Sequence, residues 1–164
     1  MGRLSPEKGY SLLAAAAKQA DCPLTLIGDG ASREEIQMAN PQAQFLGWQS
    51  HRATLQELRR ARALVLPSLW YEAHPLVTCE AAAMGIPAIV SDACAGREQI
   101  QDGETGLLFR SGDQQDLVEK IELMRNPGFA ARLGKEAYRR YWHNPPTRSK
   151  HVDALEACYR NVLG

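Results

Sequence analysis

The sequence predicts an α/β fold, a three-layer Rossmann-like domain built on a mostly parallel sheet. Short apolar runs at 24–27, 44–46, 63–66, 88–91 and 107–109 have the length and composition of strands. Those at 63–66 and 88–91 lack polar alternation, as strands covered on both faces of a parallel sheet do. The whole stretch 63–91 reads strand, loop, helix, strand, which fits one right-handed crossover. At 164 residues and 45% hydrophobic, the chain has the size of one domain with a single core.

The elements follow in order. Ser5 is a candidate N-cap with Pro6 as the first helical residue, which sets Lys8 in the first turn, where the helix dipole disfavours a cation. A local rule broken in this way tends to mark function. The strand at 24–27 ends in Gly28-Asp29-Gly30, which could open a dinucleotide fingerprint. The third glycine position is Arg33, however, and no acidic residue follows at the ribose-binding distance. Ser32 with Glu35 predicts a capping box. Pro67-Ser68 stops the strand at 63–66, and the next helix is expected to begin with Pro75 at its first position and to stop at Gly85. Asp102-Gly103 and Thr105-Gly106 supply turn geometry before the last strand.

The carboxyl third reads as helical packing. Residues 114–125 carry a stripe of Leu117, Val118, Ile121 and Met124, and 129–142 form another helix after Asn126-Pro127. Asn144-Pro145-Pro146 breaks the chain before a final helix on which Val152, Leu155, Cys158, Tyr159 and Val162 share a face.

Chemistry concentrates around the helix after 63–66. Its free N–H groups point into the loop holding Glu72, and such a helix start attracts phosphates. A carboxylate would repel a phosphate, so a functional Glu72 must accept hydrogen bonds from hydroxyls beside one. Glu80, eight positions on and in the second turn, could accept from a vicinal diol such as a ribose. A phosphate between two sets of hydroxyls is a sugar nucleotide.

The run Pro67-Ser68-Leu69-Trp70-Tyr71-Glu72, seven residues, then Glu80-Ala81-Ala82-Ala83-Met84-Gly85-Ile86-Pro87 resembles the signature of the retaining group 1 glycosyltransferases (family 4), which have the GT-B fold. Gly2-Arg3-Leu4-Ser5-Pro6-Glu7-Lys8-Gly9 is similar to that family's basic loop. Gly28-Asp29-Gly30, Phe45-Leu46-Gly47, Gly96-Arg97-Glu98 and the turn at 102–109 extend the resemblance over most of the chain. It implies the carboxyl-terminal, donor-binding half of a GT-B enzyme, transferring a sugar from a UDP- or GDP-linked donor with retention, in polysaccharide or glycoconjugate synthesis. By that resemblance Arg3 and Lys8 neutralise the leaving diphosphate in place of a metal, so no cofactor is expected. Glu72 would orient the donor sugar and Glu80 hold the ribose. Ala73, His74, Leu76 and Val77 would line the donor at the helix start, Leu46 would lie near the base, and Glu98 near the donor.

The chain departs from the family pattern in three places. Ala73-His74-Pro75 stand where many members have Gly-Phe-Gly, and Pro75 has no N–H to offer a phosphate. A central strand precedes the Gly-Arg in relatives, whereas only Met1 stands there, so the first strand is expected to be missing. The acceptor-binding half is likewise absent; a longer parent chain, a start placed too late or a separate polypeptide would each account for it. The rival expectation is a non-catalytic nucleotide-sugar-binding module or partner subunit, and a third is a decayed piece whose sheet lacks its centre.

Composition bounds the rest. Lys+Arg and Asp+Glu are equal at 19 each, so no basic field argues for nucleic acid or an acidic membrane. No transmembrane run or signal peptide is visible. Cys22, Cys79, Cys94 and Cys158 show no metal spacing, and four thiols suit a reducing cytosol. His51, His74, His143 and His151 are scattered, and no metal site is expected.

Overall fold

The computed structural model describes residues 1–73 and 75–163. A 3-10 turn, Pro6–Lys8, leads into α1 (Tyr10–Gln19). Then come β1 (Thr25–Leu26), α2 (Arg33–Ala39), β2 (Gln44–Phe45), α3 (His51–Arg60), β3 (Leu64–Leu66), α4 (Leu76–Ala83) and β4 (Ala88–Ser91). A second 3-10 turn, Ala95–Gln99, precedes β5 (Gly106–Phe109), α5 (Gln114–Arg125), α6 (Pro127–His143) and α7 (Arg148–Leu163). The five apolar runs read from the sequence all become strands, and every strand pair is parallel.

The fold is the expected α/β, Rossmann-like one, but its sheet is split. β1 pairs only with β2, and β3, β4 and β5 form a separate sheet in that order. Register runs from Leu64 beside Ala88 to Leu66 beside Val90, and from Ala88 beside Gly106 to Ser91 beside Phe109. Every residue of β4 is buried. Ile89, with Leu107 and Phe109, faces a cluster supplied by α1, α5 and α6; Ala88 and Val90, with Leu64 and Leu66, face Leu58 of α3 and Ala81 of α4. With both faces spent on packing, β4 shows no polar alternation; its one polar residue, Ser91 at the carboxyl end, is buried and its hydroxyl accepts from the Ala93 amide at 3.3 Å.

Several local expectations need correction. Pro75 is the N-cap of α4, extended at ψ 101°, and Leu76 is the first helical residue. The helix stops where Gly85, at φ 73°, turns left-handed. The capping box at Ser32 does not form. Ser32 sits at φ −83°, ψ 2°, outside the extended geometry that aims a cap side chain at the helix amides, and its buried hydroxyl has no partner. Ser5 has the extended backbone of a cap, yet its hydroxyl donates to the Glu7 carboxylate. Lys8 therefore ends a 3-10 turn, and Gly9 separates it from α1, so the conflict with the dipole of α1 is not the one expected. α6 begins two residues early because Asn126 caps it, its side chain accepting from the Gly128 and Phe129 amides. α7 has no buried residue, and Val152, Leu155, Tyr159 and Val162 are exposed. Among the described residues, no helix is long and apolar enough to cross a membrane.

Candidate functional site

The amino-terminal loop is stitched to the carboxyl end of β1. Gly2 donates to the Ile27 carbonyl at 2.8 Å and Leu4 to that of Asp29 at 3.0 Å, while the Leu4 side chain is fully buried. A side chain at Gly28 would lie 1.9 Å from the Gly2 carbonyl oxygen, so only glycine lets the two segments meet. Gly9, at φ 68°, performs the same service toward β3: a Cβ there would stand 2.0 Å from the Pro67 carbonyl oxygen. The Leu69 amide donates to the Glu7 carbonyl at 2.9 Å, closing the loop onto the end of β3.

This approach brings Lys8 to Glu72. The ammonium Nζ lies 2.7 Å from Glu72 Oε1, and the side chains keep only 18% and 25% of their exposure. The other oxygen, Oε2, accepts from Ser68 Oγ at 2.8 Å. Held at both oxygens, the carboxylate is fixed in direction, and charge-assisted bonds of this kind are about twice as strong as neutral ones. The Glu72 carbonyl also accepts from the Ala95 amide at 3.2 Å, tying the loop to the second 3-10 turn.

Arg3 stands on the same loop with 71% of its side chain exposed, 3.8 Å from Glu7 Oε1. Bonds from the Ser5 hydroxyl and the backbone amide of Glu7 itself hold the Glu7 carboxyl below its usual range, with Arg3 and Lys8 adding to the effect. An exposed pair at that distance is weak, so the guanidinium is free to swing onto an incoming anion.

Glu80 keeps different company. His51 Nδ1, at the start of α3, lies 3.7 Å from Glu80 Oε1, with 29% of the glutamate exposed. Ser50 caps that helix, accepting from the Ala53 amide at 3.3 Å. Leu46 is half-buried just after β2, its amide donating to the Leu26 carbonyl and its own carbonyl accepting from Gln49 Nε2. Ala73 and Leu76 are exposed beside the start of α4. The Val77 side chain packs on the core cluster around Leu64 and Leu66, so a first-turn amide is what it can offer a ligand. Glu98 is exposed on the second 3-10 turn and forms no ion pair among the described residues. His74 lies outside the described residues.

The structure thus brings Arg3, Lys8, Glu72 and the start of α4 to the carboxyl ends of the strands, and seats Glu80 within the same helix against α3. Reading the sequence missed His51 and the orienting part of Ser68. No spacing could have found His51, because its partner is on another element; Ser68 was visible as a small hydroxyl ending a buried strand. Two cavities of about 280 and 480 Å³ lie elsewhere, and neither is lined by Arg3, Lys8, Glu72 or Glu80. The site is an open face rimmed by exposed Leu69, Trp70, Tyr71 and Leu76. Among the described residues no cluster of His, Cys, Asp and Glu could hold a metal ion.

The family model for glycosyl transferases group 1 matches residues 1–140. The chain belongs to the group 1 glycosyl transferases. It is similar to a GDP-mannose-dependent alpha-mannosyltransferase of Mycolicibacterium smegmatis, 32% identical over 177 residues, covering 100% of this chain and 43% of that one. Among solved structures, S. aureus TarM in complex with UDP is similar at a TM-score of 0.81 and 22% identity, covering 94% of this chain and 34% of TarM. The catalytic domain of the Helicobacter pylori cholesterol-alpha-glucosyltransferase matches at 0.78 and 24%, covering 87% of this chain and 94% of that domain. These likenesses are those of the carboxyl-terminal, Rossmann-like domain of GT-B glycosyltransferases. This group 1 chain spans less than half the length of the curated relatives it matches.

Proposed function

We propose that residues 1–164 are the donor-binding domain of a retaining group 1 glycosyl transferase of family 4, acting with an acceptor-binding domain that these residues do not include. The observation that carries this reading is the Lys8–Glu72 pair at 2.7 Å, set beside the start of α4 at the carboxyl ends of the strands. Crevices outside those strand ends are where open α/β sheets bind ligands.

In this reading the sugar nucleotide lays its diphosphate against the amino-terminal loop and the start of α4. Lys8 has three donors, so it can keep Glu72 and still reach a phosphate oxygen. Arg3 swings in from solvent to the same diphosphate. Glu72, its direction fixed by Lys8 and Ser68, accepts from hydroxyls of the donor sugar, and Glu80 accepts from the ribose diol. During transfer the bond between the anomeric carbon and the phosphate oxygen breaks, and its electron pair leaves with the diphosphate. The acceptor hydroxyl forms the new bond to the anomeric carbon, and its proton passes to the oxygen of the departing diphosphate. Negative charge grows on the diphosphate in the transition state, so the two cations contribute most there. Retention of configuration and a part in polysaccharide or glycoconjugate synthesis belong to the same proposal.

The donor nucleotide in this reading is UDP or GDP. The dependence of the mycobacterial relative on GDP-mannose makes that donor one to test. The open apolar rim of Leu69, Trp70, Tyr71 and Leu76 suits closure by another domain. The test is calorimetric titration of the folded chain with UDP and GDP, repeated with Glu80→Gln and with Arg3 and Lys8 both changed to alanine. Saturable binding of one nucleotide, weakened in both variants, is expected. Absence of binding by a chain shown to be folded would overturn the reading of this half as a self-sufficient donor site.

A further inference from the structure

The smaller cavity, of about 280 Å³, opens between α4 and α6. It lies on the α6 side of α4, whereas Glu80 on the same helix turns toward His51 of α3. Its walls are fixed. A Cβ on Gly134 of α6 would stand 2.0 Å from the Gly85 carbonyl oxygen, and Trp142 Nε1 donates to the Ala83 carbonyl at 3.1 Å, so α6 is held against the end of α4 at two points. The cavity-lining residues Ala137, Arg140 and Tyr141 lie between those points along the helix. Ala82, Ala88 and Ala137 are too short to fill the space, and Ile86 and Ile100 complete an apolar floor.

The polar groups around this floor are unevenly satisfied. Thr78 Oγ1 lies 2.6 Å from the Pro75 carbonyl oxygen and also within hydrogen-bond distance of Gln99 Oε1, two acceptors for one proton. Turning the Gln99 amide over resolves this: Nε2 then donates to Thr78 Oγ1 and to Cys79 Sγ, and Oε1 takes the place that has no partner among the described residues. Gln99 lines the cavity, so that oxygen is an acceptor it can offer there. The rim is cationic. No carboxylate lines the cavity among the described residues, but Arg140 does, and both oxygens of Glu136, four residues before it, are engaged by Arg139. Lys150 adds a second cation without an ion-pair partner among the described residues, its ammonium resting on the Pro145 carbonyl at 3.2 Å beside the rim. Burial pushes the Cys79 thiol up, so no thiolate opposes an anion.

We infer that this cavity binds a small hydroxylated carboxylate with a ring-sized apolar body. The body packs on Ile86, Ile100 and the three alanines, the carboxylate meets Arg140 at the rim, and the hydroxyl donates to Gln99 Oε1. Sites for drug-sized ligands run from about 300 to 1,000 Å³, and a volume just below that range holds the occupant to a small molecule. A wholly apolar ligand would leave Gln99 Oε1 desolvated without a partner. A bare phosphate or a sugar would leave the apolar floor wet. Only a molecule with all three parts satisfies the floor, the amide and the guanidinium together. The inference does not depend on the donor reading, and its test uses no nucleotide.

The experiment titrates the full chain with para-hydroxybenzoate, follows backbone amide shifts by NMR, and repeats the titration with its methyl ester, with benzoate and with Arg140→Gln. Arg140 is exposed, so its substitution leaves the packing of α6 in place. Saturable shifts are expected at Cys79, Gln99 and Tyr141. The ester should bind at least about tenfold more weakly than the acid, because it lacks the charge-assisted pair, and Arg140→Gln should weaken the acid by at least about tenfold while leaving the ester unchanged. Benzoate, without the donor for Gln99, should bind at least about threefold more weakly. Equal affinity for acid and ester, or for acid and benzoate, would overturn the inference, as would no saturation up to the solubility of the acid. Shifts confined to Arg3, Lys8 and the start of α4 would place the carboxylate at the open face of the candidate site and overturn it as well.

Discussion

Lys8 Nζ stands 2.7 Å from Glu72 Oε1, joining the loop before α1 to the loop after β3. One residue comes from a basic motif at the start of the chain and the other from an acidic motif in its middle. The pair is more than an anchor, because it sets the direction of the carboxylate at the open face where the strands end.

The pair should be worth something to folding as well as to binding. With each side chain at a quarter exposed or less, Lys8→Met is expected to cost about 1–2 kcal/mol. Glu72→Gln should cost a similar amount, and the double variant less than the sum of the two. Urea unfolding of the four proteins measures this directly; strict additivity would show that the two groups do not interact in solution.

Gly9→Ala should be more damaging than any change at Lys8. It forces a left-handed residue to carry a Cβ that would lie 2.0 Å from the Pro67 carbonyl oxygen. The left-handed conformation alone costs about 1–2 kcal/mol, and relief of the clash must push the loop away from β3. The expected result is a loss of about 2 kcal/mol or more together with weakened nucleotide binding, read by urea unfolding and calorimetry on the same sample.

Ser32→Ala distinguishes the capping box that the sequence suggests from the geometry the structure adopts. Loss of a working cap would cost about 1 kcal/mol. A buried hydroxyl without a partner pays desolvation for nothing, so its removal is expected to leave stability unchanged or raise it by up to about 1 kcal/mol. The shift in thermal midpoint gives the sign.

Glu80→Gln should weaken binding of the ribonucleotide about tenfold, or about 1.4 kcal/mol, and leave the 2′,3′-dideoxy analogue nearly unaffected. Equal losses for both would place Glu80 somewhere other than the ribose. The comparison is a pair of calorimetric titrations against wild type and variant.

Local rules made most of the fold legible. The five strands, the stop of α4 at Gly85 and the bounds of α5 follow from apolar runs, periodicity and Gly/Pro punctuation, all of which act within a few residues. Where those rules failed the causes differ: at Ser32 a tertiary contact took over, since the Leu4 carbonyl accepts from its amide at 2.9 Å and holds it in a turn, whereas at α6 a local cap, Asn126, starts the helix earlier than its apolar pattern does. The candidate site divides in the same way. The residue types at Arg3, Lys8, Glu72 and Glu80 could be singled out from motif spacing, but their contacts could not.

The sequence by itself determined the order of strands and helices, the parallel class of the sheet and the four charged residues worth testing, because each depends on chemistry carried by a short segment. Only the tertiary structure decided that Lys8 meets Glu72 and that Ser68 and His51 attend the two glutamates. Those outcomes rest on backbone approaches between distant segments, such as Gly9 against Pro67 and Gly28 against Gly2, where the steric fit of two pieces of chain sets the geometry and neither piece reveals it alone.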